Sequence, residues 1–284
     1  MNLVACMIVY NGMPFLPYCI KSLENQVDTL IIVYGAQKEF KSIPKDKTYE
    51  YLDYLWERDT KPDLYIIEEI DQWNNEAEQR NAYLEFIKKN KIDVDWLLIV
   101  DSDEFYTDAD IGVLRRVMEK ADDDIRYINY PFYNFYYSFN FFKKNYDGML
   151  KCIRYRPELI YHYTIPQTLD NIGDDKRITL WGAKHIYLPQ IRCYHYGHLT
   201  YTVKFKEKEI NKLLGSCERD YANPKKWEFI SLPTKEKKVE WILRNYKWFN
   251  ISKILVDEEI EMCRVHPKII EENFISTNNY ERWW

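Results

Sequence analysis

The chain has 284 residues, 46% hydrophobic and 30% charged, enough for one large domain or a core domain with an appendage. A formal net charge of −5 argues against a polycation built to coat nucleic acid. With only 8 glycines, and neither a G-x-G-x-x-G nor a Walker A pattern, a Gly-rich phosphate loop is not expected.

The chain opens with Leu3–Tyr10, a continuous apolar run of buried-strand type, and turns at Asn11-Gly12. Pro14–Asn25 follows as a helix carrying Leu16, Ile20 and Leu23 on one face, with Pro17 tolerable only in the first turn. Thr29–Tyr34 reads as a second strand, Tyr49–Arg58 as a helix and Leu64–Ile67 as a third strand. Asn75 and Glu78 have the spacing of a capping box for a helix running through Lys89. Trp96–Val100 is the fourth strand, and Asp108 is placed to cap a helix through Lys120.

Strands alternating with helices predict an α/β fold, a mostly parallel sheet flanked by helices. In such sheets ligands bind beyond the carboxyl ends of the strands. Asn11, Gly35, Glu68–Asp71 and Asp101–Glu104 all fall at those ends. The last group is the most telling. An apolar run, Trp96–Val100, stops abruptly at Asp101-Ser102-Asp103-Glu104, and carboxylates at the tip of a buried strand are costly unless a cation neutralises them. Asp101 and Asp103 are hard oxygen ligands suited to Mg²⁺ or Mn²⁺, and through the ion to a diphosphate. A solvated acidic turn is the plainer alternative.

Beyond Ala121 the pattern changes. Tyr130–Phe142 holds nine aromatics in thirteen residues without a clean period, fit for a sugar or base platform or for a core or dimer contact. Ile153–Tyr163 and Ile186–Tyr196 read as strands. Val203–Leu214, Thr234–Trp248 and a weaker stretch near Val256–Arg264 read as helices. The expected division is therefore residues 1–200 as the ligand-binding domain and 201–284 as a helical C-terminal extension. Residues 201–250 carry 12 Lys/Arg against 7 Asp/Glu, so this segment can meet phosphate or simply present a solvated helix face.

The six cysteines, Cys6, Cys19, Cys152, Cys193, Cys217 and Cys263, form no C-x-x-C pair and no zinc spacing. The start lacks the basic region of a signal peptide, and no apolar run approaches the ~20 residues of a membrane span. A reducing cytoplasm is the expected compartment. Cys193-Tyr194-His195-Tyr196-Gly197-His198 offers two histidines at the end of a strand, either of which could supply an imidazole to the ion held by Asp103. Mixed carboxylate and imidazole ligation suits Mn²⁺.

These segments resemble a known family. Leu97–Phe105, with its D-x-D-E, resembles the corresponding segment of nucleotide-sugar glycosyltransferases of the GT-A fold, family 2-like type. Glu76–Ala82 is similar to that family's A-R-N-x-G/A helix, Ile8–Gly12 to its first strand and turn, and His195-Tyr196-Gly197 to its H-Y-G segment. The resemblance implies a Rossmann-like sheet, a divalent Mn²⁺ or Mg²⁺ ion and a nucleotide-diphosphate sugar, UDP-linked above all. It implies Asp101, Asp103 and His195 as metal ligands, with Asp101 also touching the ribose. Asn11, Glu68, Arg80 and Lys206 are implied as further donor contacts. The chain departs from the family in lacking a clear general-base pair, for which Asp170, Asp174 and Asp175 are the nearest candidates, and in placing Val33-Tyr34-Gly35 where relatives carry an Asp.

The expected activity is transfer of a sugar to a hydroxyl acceptor, a glycan, a protein or a modified nucleobase, with overall acidity disfavouring nucleic acid. The alternatives are a non-catalytic binding module on the same fold and a metal-dependent nucleotidyltransferase.

Overall fold

The computed structural model describes residues 1–40, 45–56, 63–68, 72–136, 139, 141–145, 150–162, 165–169, 177–198, 234, 237, 260–262 and 265–275. The chain divides into two compact units. The first comprises Met1–Tyr133, Asn145–His195 and Val265–Trp283, the second Asn134–Lys144 and Tyr196–Arg264 with Trp284.

In the first unit, β1 (Leu3–Val9), β2 (Thr29–Tyr34), β3 (Asp63–Glu68) and β4 (Trp96–Ile99) alternate with α1 (Leu16–Leu23), α2 (Thr48–Trp56) and α3 (Glu76–Asn90). The short β5 (Glu104–Phe105) and α4 (Asp108–Lys120) follow, then β6 (Tyr127–Asn129), β7 (Phe132–Tyr136), β8 (Phe141–Asn145), β9 (Cys152–Arg154), β10 (Ile160–His162), β11 (Ile165–Leu169), β12 (Arg177–Thr179), β13 (His185–Tyr187) and β14 (Cys193–His198). The chain continues to β15 (Ile260–Met262) and a short helix, α5 (Lys268–Ile270).

The main sheet has seven strands in the order β13-β6-β9-β4-β1-β2-β3. Its core, β4-β1-β2-β3, is parallel throughout, whereas β9 lies antiparallel between β4 and β6. The expected α/β class and mostly parallel sheet are met. Because the four early strands run the same way, their carboxyl ends share one edge, as the alternation of elements demands. β1 and β2 are almost wholly buried and read as unbroken apolar runs, while β3 at the edge is only half-buried. Val4, Cys6, Ile31, Val33, Leu97 and Ile99 alternate onto one face and pack with Tyr83, Leu84 and Ile87 of α3. A second, three-stranded antiparallel sheet is built from β10, β11 and β12.

Local chemistry explains the boundaries. Asn75 caps α3 by accepting from the Glu78 N–H at 2.9 Å, as its spacing predicts, but the Glu78 carboxylate reaches back to the Asn74 N–H rather than to Asn75. For α4 the cap is Thr107, one residue earlier than expected. Its hydroxyl accepts from the Asp110 N–H at 3.1 Å while the Asp110 carboxylate accepts from the Thr107 N–H at 3.2 Å, leaving Asp108 as the first helical residue.

The run Ile153–Tyr163 is broken into β9 and β10, because Pro157 has no N–H to give a ladder and a turn closes from the Leu159 N–H to the Arg156 carbonyl. Ile186–Tyr196 is likewise split into β13 and β14 around the turn at Pro189, closed from the Ile191 N–H to the Leu188 carbonyl. The aromatic run that showed no clean period contains β7 and part of β8. Within Val256–Arg264, expected to be helical, Ile260–Met262 instead forms β15, antiparallel to β8. The helices expected over Val203–Leu214 and Thr234–Trp248 lie outside the described residues, apart from the isolated positions 234 and 237.

Candidate functional site

The acidic segment forms a tight turn between β4 and β5. The Glu104 N–H donates to the Asp101 carbonyl at 3.0 Å, and the Glu104 carboxylate accepts from the Asp101 N–H, also at 3.0 Å. Glu104 thus staples its own turn, and this explains why a glutamate follows the D-x-D. The turn leans on the end of β1. A Cβ on Gly12 would come within 3.2 Å of Ser102 Cβ and 2.8 Å of Val9 Cγ2, so any larger residue requires these neighbours to shift. From below, the Cys19 thiol faces the carbonyls of Glu104 and Asp101 at 3.3 and 3.6 Å. Burial, reinforced by the neighbouring carboxylates, pushes that thiol's pKa well up and keeps it a proton donor.

The turn divides its carboxylates. Asp101 and Glu104 meet internal cations: Lys151 Nζ lies 2.9 Å from Asp101 Oδ2 and 2.7 Å from Glu104 Oε1, and Arg80 Nη2 lies 3.7 Å from Asp101 Oδ1. The contact with Asp101 is a hydrogen bond as well as an ion pair. That with Glu104 is a charge pairing without hydrogen-bond alignment. Burial alone would raise the Asp101 pKa, but Lys151 and Arg80 outweigh it and hold the carboxyl well below the usual range. Burial pushes Glu104 up to about 8, against the pull of Lys151. Lys151 is raised despite its burial because the two carboxylates stabilise its charge.

Asp103 has a different partner, although Asp101 is as exposed as it is, at 29%. Asp103 Oδ1 lies 3.6 Å from His195 Nε2, and the two side chains are 28% and 16% exposed, within reach of solvent. The pairing follows from strand register, since β14 runs antiparallel to β5 with His195 opposite Glu104 and Tyr194 opposite Phe105. The Phe132 ring stands edge-on to the His195 ring at 6.1 Å.

The remaining expected residues are distributed as follows. Arg80 is buried in α3, bonded through Nε to Glu76 at 2.8 Å and set over the Tyr161 ring at 5.7 Å. The pair with Glu76 and the contact toward Asp101 therefore coexist. Its Nη1 is a buried donor with no hydrogen-bond partner among the described residues. Asn11 accepts from the Asp46 N–H at 3.1 Å. Glu68 ends β3 and lines a cleft of about 250 Å³ with Tyr34, Tyr49, Asp53 and Trp56. Trp56 is 61% exposed there, and the Tyr34 and Tyr49 rings lie 5.6 Å apart. His198 closes β14. Asp71, Asp170, Asp174, Asp175 and Lys206 lie outside the described residues.

Lys151 was missed by the sequence reading. Its signal was present as a lone charge inside the apolar stretch Leu150-Lys151-Cys152-Ile153, but its partners sit fifty residues away on another strand.

A cluster of three or more metal-ligating side chains is absent among the described residues. The donor set at Asp103 and His195 nonetheless suits a divalent ion of the Mg²⁺ or Mn²⁺ kind. Such ions are held by one or two protein groups with water and substrate phosphate completing the shell, and the 3.6 Å spacing allows one ion to touch both atoms. Among the described residues no helix is long and apolar enough to cross a membrane.

No family model and no curated protein matches the chain. Solved structures do show likeness. S. aureus TarS residues 1–349, in complex with UDP-GlcNAc, is 11% identical with a TM-score of 0.44 over 87% of this chain and 74% of that one. Another S. aureus TarS structure is 12% identical with a TM-score of 0.43 over 77% of this chain, which spans only 40% of that one. The mannosyltransferase PcManGT from Pyrobaculum calidifontis, in complex with GDP-Man and Mn²⁺, is 12% identical with a TM-score of 0.45, covering 86% of this chain and 76% of that one.

Proposed function

We propose that the chain is a divalent-metal-assisted glycosyltransferase that moves a sugar from a nucleotide-diphosphate donor, UDP-linked in the first instance, to a hydroxyl acceptor. The observation that carries this reading is the pair Asp103–His195, set beside a stapled acidic turn at the carboxyl edge of four parallel strands. The resemblance of the D-x-D-E and H-Y-G segments to family 2-like glycosyltransferases agrees with it.

In this reading Asp103 and His195 hold the ion, which supplies Lewis-acid stabilisation of negative charge on the departing diphosphate. Asp101 lies beside them as a charge-paired carboxylate, and Arg80, within ion-pair reach of Asp101, is assigned to the donor as a fixed positive charge. The cleft between α2 and the ends of β2 and β3 takes the nucleoside, with Tyr34 and Tyr49 as apolar faces and Glu68 as hydrogen-bond acceptor. Asn11 holds the turn that borders this edge. Lys206 is assigned to the diphosphate, and Asp174 or Asp175 to the base that takes the acceptor's proton.

Calorimetry with UDP and Mn²⁺, followed by a screen of UDP- and GDP-sugars for hydrolysis or transfer, tests the reading. Asp103→Ala and His195→Ala are each expected to lose Mn²⁺-dependent turnover by about 10²-fold or more, the scale of losing a charge-stabilising group. Turnover that survives both substitutions, or a folded wild type that binds neither Mn²⁺ nor any nucleotide sugar, would sink it.

A further inference from the structure

Lys151 is the most buried cation near the turn, at 1% exposure, and burying an ammonium is costly unless its surroundings are built for it. Its place follows from the sheet. β9 enters antiparallel beside β4, with Cys152 opposite Leu98, and the Ile99 N–H donates to the Lys151 carbonyl at 2.6 Å. The backbone of Lys151 therefore stands level with the end of β4, and its side chain reaches the two ends of the turn, Asp101 and Glu104. The ammonium also lies 5.6 Å from the centre of the Phe132 ring, whose edge-on partner is His195. One side chain thus touches both flanks of Asp103 and the aromatic that supports its imidazole neighbour.

We propose that Lys151 is the positioning residue of this site. Its ammonium ties together Asp101 and Glu104, the two ends of the turn, and so fixes the backbone that presents Asp103 to His195. The inference deepens the function proposed above and rests on it for the identity of the ion.

The test uses the full chain and needs no turnover. Mn²⁺ binding is followed by electron paramagnetic resonance without nucleotide, in wild type, Asp101→Asn, Asp103→Asn, Lys151→Met and the charge-balanced triple variant Lys151→Met/Asp101→Asn/Glu104→Gln. The triple variant leaves no buried unpaired charge at the turn if Lys151→Met alone fails to fold. Lys151→Met, or the triple variant in its place, is expected to weaken Mn²⁺ binding by about tenfold or more, as supporting residues around metal ligands do. Asp103→Asn should weaken it at least as much, and Asp101→Asn, which removes the hydrogen-bonded partner of Lys151, should weaken it as well.

A second readout is the pair of ¹⁵N resonances of the His195 ring, assigned with His195→Gln and recorded without metal. Removing Lys151 should move them in the same direction as Asp103→Asn does. Wild-type Mn²⁺ affinity in a folded Lys151 or Asp101 variant, or His195 resonances indifferent to Lys151, would each overturn the proposal. If wild type binds no Mn²⁺, the metal reading falls on its own, and the His195 resonances alone decide the role of Lys151.

Discussion

Glu104 does more for this site than its place at the end of a common motif suggests. One carboxylate oxygen accepts from the Asp101 N–H, the other faces Lys151, and the side chain is 1% exposed. Removing it takes one of two carboxylates from a buried ammonium, which keeps Asp101, and leaves the Asp101 N–H without its acceptor. Glu104→Ala is therefore expected to cost about 1–3 kcal/mol, read by denaturant unfolding, more than loss of an exposed ion pair. The exposed pair Lys184–Asp124 supplies that contrast, and Lys184→Ala should leave the unfolding midpoint close to wild type in the same assay. The four carboxylate and imidazole positions of the candidate site were visible in the sequence as types. Which partner each meets was not, because that depends on Lys151 and His195 arriving from strands that are distant along the chain.

At the level of elements, short caps and turns decide where the chemistry sits. The reciprocal bonds between Thr107 and Asp110 start α4 just after β5, fixing how far the acidic turn can extend. Thr107→Ala is expected to lower stability by about 1 kcal/mol, measured by denaturant or thermal unfolding. Gly12 is under a different constraint, since an added methyl meets Val9 and Ser102 inside ordinary contact distance. Gly12→Ala should cost about 1–3 kcal/mol and shift the amide resonances of Ser102 and Asp103, which nuclear magnetic resonance would report. Helix and strand types were readable from periodicity for α1, α3 and the four early strands. Where periodicity failed, as in the aromatic run holding β7, strand identity came from pairing with distant partners and not from the run itself.

For the molecule as a whole, the arrangement predicts linkage between ligand and stability. If Mn²⁺ and UDP bind the folded chain at the strand edge, a hundredfold excess over the dissociation constant adds about 2.7 kcal/mol, seen as a raised unfolding temperature. Asp103→Ala should abolish the Mn²⁺-dependent part of that rise. Alternating apolar runs and helices were enough to specify a parallel sheet and to gather Asn11, Glu68 and the acidic turn on one edge, because each buried strand must be covered by the helix that follows it. Sequence order could not specify that β9 enters antiparallel beside β4, nor that β14 returns to pair with β5. Those two pairings bring Lys151 under the turn and His195 against Asp103. Both are contacts between segments fifty to ninety residues apart, won by burial and strand register in the folded chain, and local pattern carries no record of them.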